Sequence, residues 1–206
     1  MNEVLILHSS LAGARGDARA DALLMRLPYA RRLELARRGP DARLASLAGV
    51  ALALAGAARL RGRPVEPGQL KFPASGKPGF ADGPCFSVAH SLTRVAVAVS
   101  EDCELGLDLE DTFGSAPYDA GPTRRLERWT AIEAALKAVG AGLRSADQLR
   151  MAEDLATASL GGIDINLQRV EIEADCVARL ATLARTVDVT VERIPVPWPY
   201  AAPPAS

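Results

Sequence analysis

The sequence predicts an α+β fold, on three observations. Several short segments alternate apolar and polar residues with period two, as half-buried strands do; "ELGLDLE" and "VDVTVER" are the clearest. Two longer segments, 44–60 and about 123–139, are rich in Ala and Leu and end near glycines, as helices do. Strand, helix and hairpin patterns recur loosely in each half, with no repeat of short period. At 206 residues and 49% hydrophobic content, the chain can bury a core as one domain or as two small subdomains.

In chain order, 3–8 reads as an opening strand; it lacks the basic start and long apolar run of a signal peptide. Short helices follow between Asp17 and Arg38. Leu44–Leu60 reads as a buried helix, since its Ala and Gly leave it weakly hydrophobic and short for a bilayer. Asp41 after Pro40 supplies its N-cap and Gly62 its stop. The stretch "GRPVEPGQLKFPASGKPGFADGP" then breaks two or three extended pieces with turns. "CFSVAHS", "RVAVAVS" and "ELGLDLE" read as strands, the last two joined across "SEDC" as a hairpin. A second loop, "DTFGSAPYDAGP", precedes the 123–139 helix, which Gly140 and Gly142 close. "INLQRVEIE" and "VDVTVERIPV" read as strands, with a helical piece between them and another before them. The proline-rich end reads as a surface tail.

Three cysteines, Cys85, Cys103 and Cys176, with no CxxC pair, fit reduced thiols in a cytoplasmic protein better than a disulfide framework or a zinc site. The net charge is −1 but uneven: up to Arg63 there are eleven arginines and no lysine against five acids, and the remainder carries −7. A basic face of this kind is commonly just solvated; as a functional surface it suits phosphates or an acidic protein. Nucleic acid is a poor match, because no aromatics interleave with the arginines and no binding motif is present.

The chemistry gathers around Glu104–Asp111. In a strand, Leu105, Leu107 and Leu109 face one side and Gly106, Asp108 and Glu110 the other. Two carboxylates roughly 7 Å apart along a strand suit a hard divalent cation such as Mg²⁺. They are also what an ordinary solvated strand face looks like, and alone they do not decide. In the helix, Trp129, Glu133 and Lys137 fall at i, i+4 and i+8 on one face. That pair is a helix salt bridge, or else the carboxylate and ammonium that a magnesium–pyrophosphate site requires. His90 in "SVAHS" and Lys77 in "SGKPGF" are each unremarkable in isolation.

The order of these pieces, "GKPGF", "FSVAHS", "LGLDLED" and "WTAIEAALKAVGAGL", resembles the 4′-phosphopantetheinyl transferase superfamily, in its pseudo-dimeric, surfactin-synthetase-activating type. That family carries GKP, F-N-x-S-H-S, G-x-D-x-E and W-x-x-K-E-A-x-x-K in the same order. The motifs run from about Lys71 to Leu143, with looser support from "DARLASLAG". The resemblance implies two similar α/β subdomains related by a pseudo-twofold axis, with the site in the cleft between them. Residues 1–101 would form the half on the coenzyme A nucleotide side. Residues 102–194 would carry the metal carboxylates and the Trp-Glu-Lys helix, with 195–206 as the tail.

The resemblance further implies roles for individual residues. Asp108, Glu110 and Glu133 would hold Mg²⁺. Glu133, directly or through a metal-bound water, would take the proton from the serine of an acyl or peptidyl carrier protein. His90 and Lys137 would contact phosphate oxygens, and Lys77 and Arg43 the nucleotide 3′-phosphate. Attack of the serine on the β-phosphate would release 3′,5′-adenosine bisphosphate. Expected partners are coenzyme A and the carrier protein, with no nucleic acid and no membrane, and the expected state is a monomer. Three departures stand out: Ser87 replaces an Asn, Ile132 replaces a Lys, and only 23 positions separate Glu110 from Glu133, where the family commonly carries an insertion. Two alternatives follow: a degenerate member that binds coenzyme A or a carrier without transfer, and another magnesium-dependent phosphoryl enzyme. The second has no P-loop or kinase-like glycine motif to support it.

Overall fold

The structure, a computed structural model, describes residues 2–73, 77–112 and 120–199, and of residues 120–122 only the backbone. Part of the turn around Lys77, most of the second loop and the end of the tail therefore lie outside the described residues. The first half runs β1 (Asn2–Ser10), α1 (Arg19–Arg26), α2 (Tyr29–Ala36), α3 (Pro40–Arg61), β2 (Leu70–Lys71), β3 (Gly79–Phe80), β4 (Cys85–His90) and β5 (Arg94–Ser100). The second runs β6 (Leu105–Asp111), α4 (Ala120–Ala138), β7 (Arg150–Met151), β8 (Thr157–Leu160), β9 (Ile163–Arg169), β10 (Cys176–Thr182) and β11 (Val187–Arg193). These elements make a mixed α+β fold with small, mainly antiparallel sheets.

The two larger sheets have the order β11-β1-β5-β4, with β1 and β11 parallel, and β6-β10-β9-β8-β7, antiparallel; β2 and β3 pair as a third, two-stranded sheet. α3 packs on β4 and β5, with α1 against its other side. Being covered on more than one side explains a helix that is apolar almost all round, buried from Ala45 to Leu54 without a break. By length and composition α3 could cross a bilayer, yet two thirds of its apolar window, 67%, is buried within the fold. Its N-cap is Gly39, not Asp41: Pro40, with φ already set and no N–H to satisfy, takes the first helical position and puts Asp41 in the first turn. Gly62 ends it in the left-handed conformation, as expected.

Three expectations fail in this part of the chain. The helical piece expected before "INLQRVEIE" is only a 3-10 turn, Leu143–Gln148, followed by β7 and β8. β5 and β6 do not form a hairpin; β5 lies between β1 and β4, and β6 pairs with β10 in the other sheet. The four residues between them turn the chain from one sheet to the next. "CVARLAT", expected to be helical, is the strand β10. It is buried along its whole length, so the period-two signal is lost and its Ala and Leu mimic a helix. β11, grouped by sequence with residues 102–194, pairs with β1 in the first sheet along seven positions. Its partner strand is thus at the opposite end of the chain.

Candidate functional site

The alternation in "LGLDLED" holds. Leu105, Leu107 and Leu109 enter the core with Val4, Ile6 and Leu180, while Gly106, Asp108 and Glu110 face α4. Gly106 sets the approach: a Cβ there would collide with the Ala134 carbonyl oxygen and the Ala138 amide nitrogen, so α4 lies on bare backbone. The helix runs antiparallel to β6, with Trp129 over Glu110 and Lys137 over Asp108. It stops two residues before Gly140, whose positive φ of 66° lets the Ala141 amide donate back to the Leu136 carbonyl.

Asp108, Glu110, Glu133 and Lys137 thus come together. The Lys137 ammonium donates to Asp108 Oδ1 at 2.6 Å and lies 3.5 Å from Glu133 Oε2. Asp108 is only 4% exposed, and its second oxygen, Oδ2, is buried without a hydrogen-bond partner. Burial pushes the Asp108 carboxyl up to about 7; Lys137 pulls it down, and Glu133 and Glu110 add to the rise. Burial and then Glu133 also raise Glu110, against a hydrogen bond from the Trp129 indole. Among the described residues no three acid, His or Cys side chains converge as a ready ligand cage; Lys137 instead bridges Asp108 and Glu133.

His90, at the end of β4, has an exposed outer edge but senses Lys137, Arg38 and Glu133. Burial, then the Lys137 and Arg38 cations, lower its pKa from the ordinary histidine value. Arg38, which sequence reading left in the general basic cluster, donates to Ser46 Oγ and Glu34 at the end of α2. That cluster is partly neutralised: Glu34 pairs with both Arg31 and Arg38, and Arg31 also stacks on Phe72.

Beside Lys137 opens a cavity of about 280 Å³ lined by Lys77, Phe86, Ser87 and the Gly140–Gly142 turn. Its wall is also the junction of the two sheets. Among the described residues β6 has no strand on its outer edge, and side chains from the first half take its backbone groups: Leu107 N–H donates to Ser87 Oγ at 3.0 Å, and Lys77 Nζ donates to the Leu105 carbonyl at 2.6 Å. Lys77 is also paired with Glu104 at 2.9 Å. Arg43 lies elsewhere, in a cavity of about 400 Å³ with Arg15, Asp17 and Asp41 that shares no lining residue with the first.

Sequence reading missed a second charged cluster at the far end of β6. Arg94 on β5 pairs with Asp111 at 2.7 Å, Asp175 at 2.6 Å and Glu173 at 3.4 Å; Glu173 in turn meets Arg193 and the buried His8. The third acid of "DLED" was the available signal. The sequence matches no protein-family model, and no curated protein matches it.

Proposed function

We propose that the chain is a 4′-phosphopantetheinyl transferase, moving the phosphopantetheine arm of coenzyme A onto a serine of an acyl or peptidyl carrier protein in a Mg²⁺-dependent reaction. The observation that carries the reading is Asp108. A buried carboxylate with one oxygen unsatisfied, beside two further acids and bonded to the lysine that lines the neighbouring cavity, is costly unless a cation completes it. Asp108, Glu110 and Glu133 would hold the Mg²⁺, which suits an all-oxygen donor set and, when bound, supplies charge neutralisation to the diphosphate.

Lys137 and His90 bind phosphate oxygens, the lysine as a charge and the imidazole as a hydrogen-bond donor. Glu133 accepts the proton of the carrier serine. The serine oxygen forms its bond to the β-phosphorus as the bond to the bridging oxygen breaks, and 3′,5′-adenosine bisphosphate departs with that oxygen and its electron pair. The nucleotide 3′-phosphate contact falls to Lys77, on release from Glu104, and not to Arg43 with its separate cavity. We read the two halves as pseudo-twofold related with the site in the cleft between them; a helix packed on a sheet in each half, α3 on β4 and β5 and α4 on β6 and β10, supports this. On this reading the protein acts as a cytoplasmic monomer.

The test is the intact mass of an apo acyl carrier protein after incubation with the protein, coenzyme A and Mg²⁺. A gain of one phosphopantetheine arm that EDTA abolishes is expected. Asp108→Ala and Glu133→Ala should each lose the gain while keeping a native circular dichroism spectrum; activity in either would show the acids misassigned. Ile132, where the resemblance expects lysine, favours a second reading: binding of coenzyme A without transfer. Calorimetric binding with no gain on several carriers would select it, and Ile132→Lys would then be the first substitution.

A further inference from the structure

The apolar layer between α4 and the second sheet gives way at one end to a charged one. Ala131 of α4, Leu167 of β9 and Ala181 of β10 belong to that apolar layer. One helical turn or one strand pleat further on stand Glu127, Arg169 and Arg179. Arg169 and Arg179 are direct register partners across β9 and β10, so their side chains leave the sheet on one face, toward α4. Like charges placed directly opposite destabilise a sheet unless both are answered. Arg169 is answered, by Glu127 at 3.4 Å and Glu171 at 3.0 Å. Arg179 is not. It is only 9% exposed, its guanidinium makes no hydrogen bond or ion pair among the described residues, and its Nε is buried without a partner. Asp108, its register partner on β6, is bonded to Lys137 instead. Burial disfavours the Arg179 charge; Glu127 offsets part of that and Arg169 adds to it.

We propose that Arg179 and Arg169 form a binding site for a phosphate dianion, free or as the terminal group of a small phosphomonoester. A guanidinium keeps its proton even when buried, so Arg179 cannot shed the cost of burial by becoming neutral as a lysine would. Left unpaired in the fold, it is a standing cost that an apolar side chain of similar length would avoid. Its N–H groups form a planar fork that matches two oxygens of an oxyanion. With Arg169 on the neighbouring strand, the pair offers a fork to each of two edges of one tetrahedral anion. The way in lies past Arg169, whose side chain is 52% exposed, and the entering anion has one long ion pair to displace, Arg169 to Glu127. Glu127 and Lys137 are roughly 15 Å apart along α4, so this site is distinct from the one beside Lys137 and stands independently of the transferase reading.

Calorimetry with inorganic phosphate and with glycerol 3-phosphate, in metal-free buffer lacking other polyvalent anions, tests this on the wild-type chain, Arg179→Met and Lys137→Met. Saturable phosphate binding is expected in wild type and in Lys137→Met, with affinity at least about tenfold weaker in Arg179→Met. Without phosphate, Arg179→Met should melt no lower than wild type, since it replaces a buried unpaired charge by an apolar side chain of similar length. A lower Tm would show that the fold itself uses the cation, and overturns the site. Unchanged phosphate affinity in Arg179→Met also overturns it; if Lys137→Met loses the binding instead, the anion sits in the cavity beside Lys137. Wild-type protein that binds neither probe overturns it as well. Tighter binding of glycerol 3-phosphate than of inorganic phosphate identifies a phosphomonoester as the ligand, and equal or weaker binding identifies the free ion.

Discussion

Asp108 concentrates the energetic conflict of the site. Its folded pKa, about 7, lies above the ordinary carboxylate value of 3.8. Between those values the folded state holds more protons than the unfolded one, so metal-free stability from this group falls as pH rises from 4 to 7. Asp108→Asn should therefore flatten the decline in Tm between pH 5 and pH 7.5 in EDTA. A cation bound by the folded state reverses the sign of the effect. At ten times its dissociation constant it contributes about 1.4 kcal/mol, which for a chain of this size raises Tm by roughly 3–6 °C. Wild type should show that rise with Mg²⁺ at pH 7.5 and Asp108→Asn should not; equal rises in both would remove Asp108 from the metal site. On the metal-site reading, Lys137, hydrogen-bonded to Asp108 and close to Glu133, is the side chain that shifts to admit the cation.

Two elements, β6 and α4, place all the acids, and their spacing depends on one missing methyl group. Gly106 lets α4 rest on the strand backbone, and a Cβ has no flexible neighbour to displace, since it would meet the carbonyl and amide of the helix itself. Gly106→Ala should cost on the order of 3 kcal/mol by forced overpacking. On the transferase reading it should also lower transfer well beyond what the unfolded fraction explains, because lifting α4 separates Lys137 from Asp108. Urea melts and activity measured at a temperature where the variant is folded separate the two effects. An activity loss equal to the unfolded fraction would make Gly106 a packing residue only. The outer edge of β6 works at the same scale: Ser87 and Lys77 satisfy its backbone where a strand would otherwise sit. Ser87, where the resemblance expects Asn, makes a structural hydrogen bond across the sheet junction.

At the scale of the molecule, two further ties join the sheets. Arg94 joins β5 to the end of β6 and to the turn before β10. Burial disfavours its charge, but the Asp175 and Asp111 bonds outweigh that and raise its pKa. Arg94→Met leaves the half-buried Asp111 with only its Thr93 bonds and should cost on the order of 3 kcal/mol, read as a drop in the urea midpoint. The double variant with Asp111→Leu should lose much less than the sum of the singles, whereas strict additivity would mean the pair does not interact. β11 is the second tie, since it returns from the second half to extend the first sheet beside β1. Unfolding should accordingly be one transition. Trp198 lies in the core of the first half and Trp129 on α4, so Trp129→Phe and Trp198→Phe each leave one reporter. Coincident midpoints by fluorescence are expected; separated ones would show two independent units.

The local elements were legible in the sequence wherever one face is buried and the other is not. β6 declared its leucine face and its acidic face by alternation, α4 its Trp129–Glu133–Lys137 stripe by helical spacing, and α3 and α4 their ends by glycine. The site acids were legible for the same reason, since they share one strand and one helix. β10 was not, because burial on both faces erases the periodicity that distinguishes strand from helix. Neither were the partner of β5, the return of β11, the capture of Lys77 by Glu104, the separation of Arg43 from Lys77, or the Arg94 cluster. Each of these depends on contacts between residues far apart in the chain. Local spacing carries the geometry of a single element, while the pairing of elements is selected by burial and charge satisfaction across the whole fold.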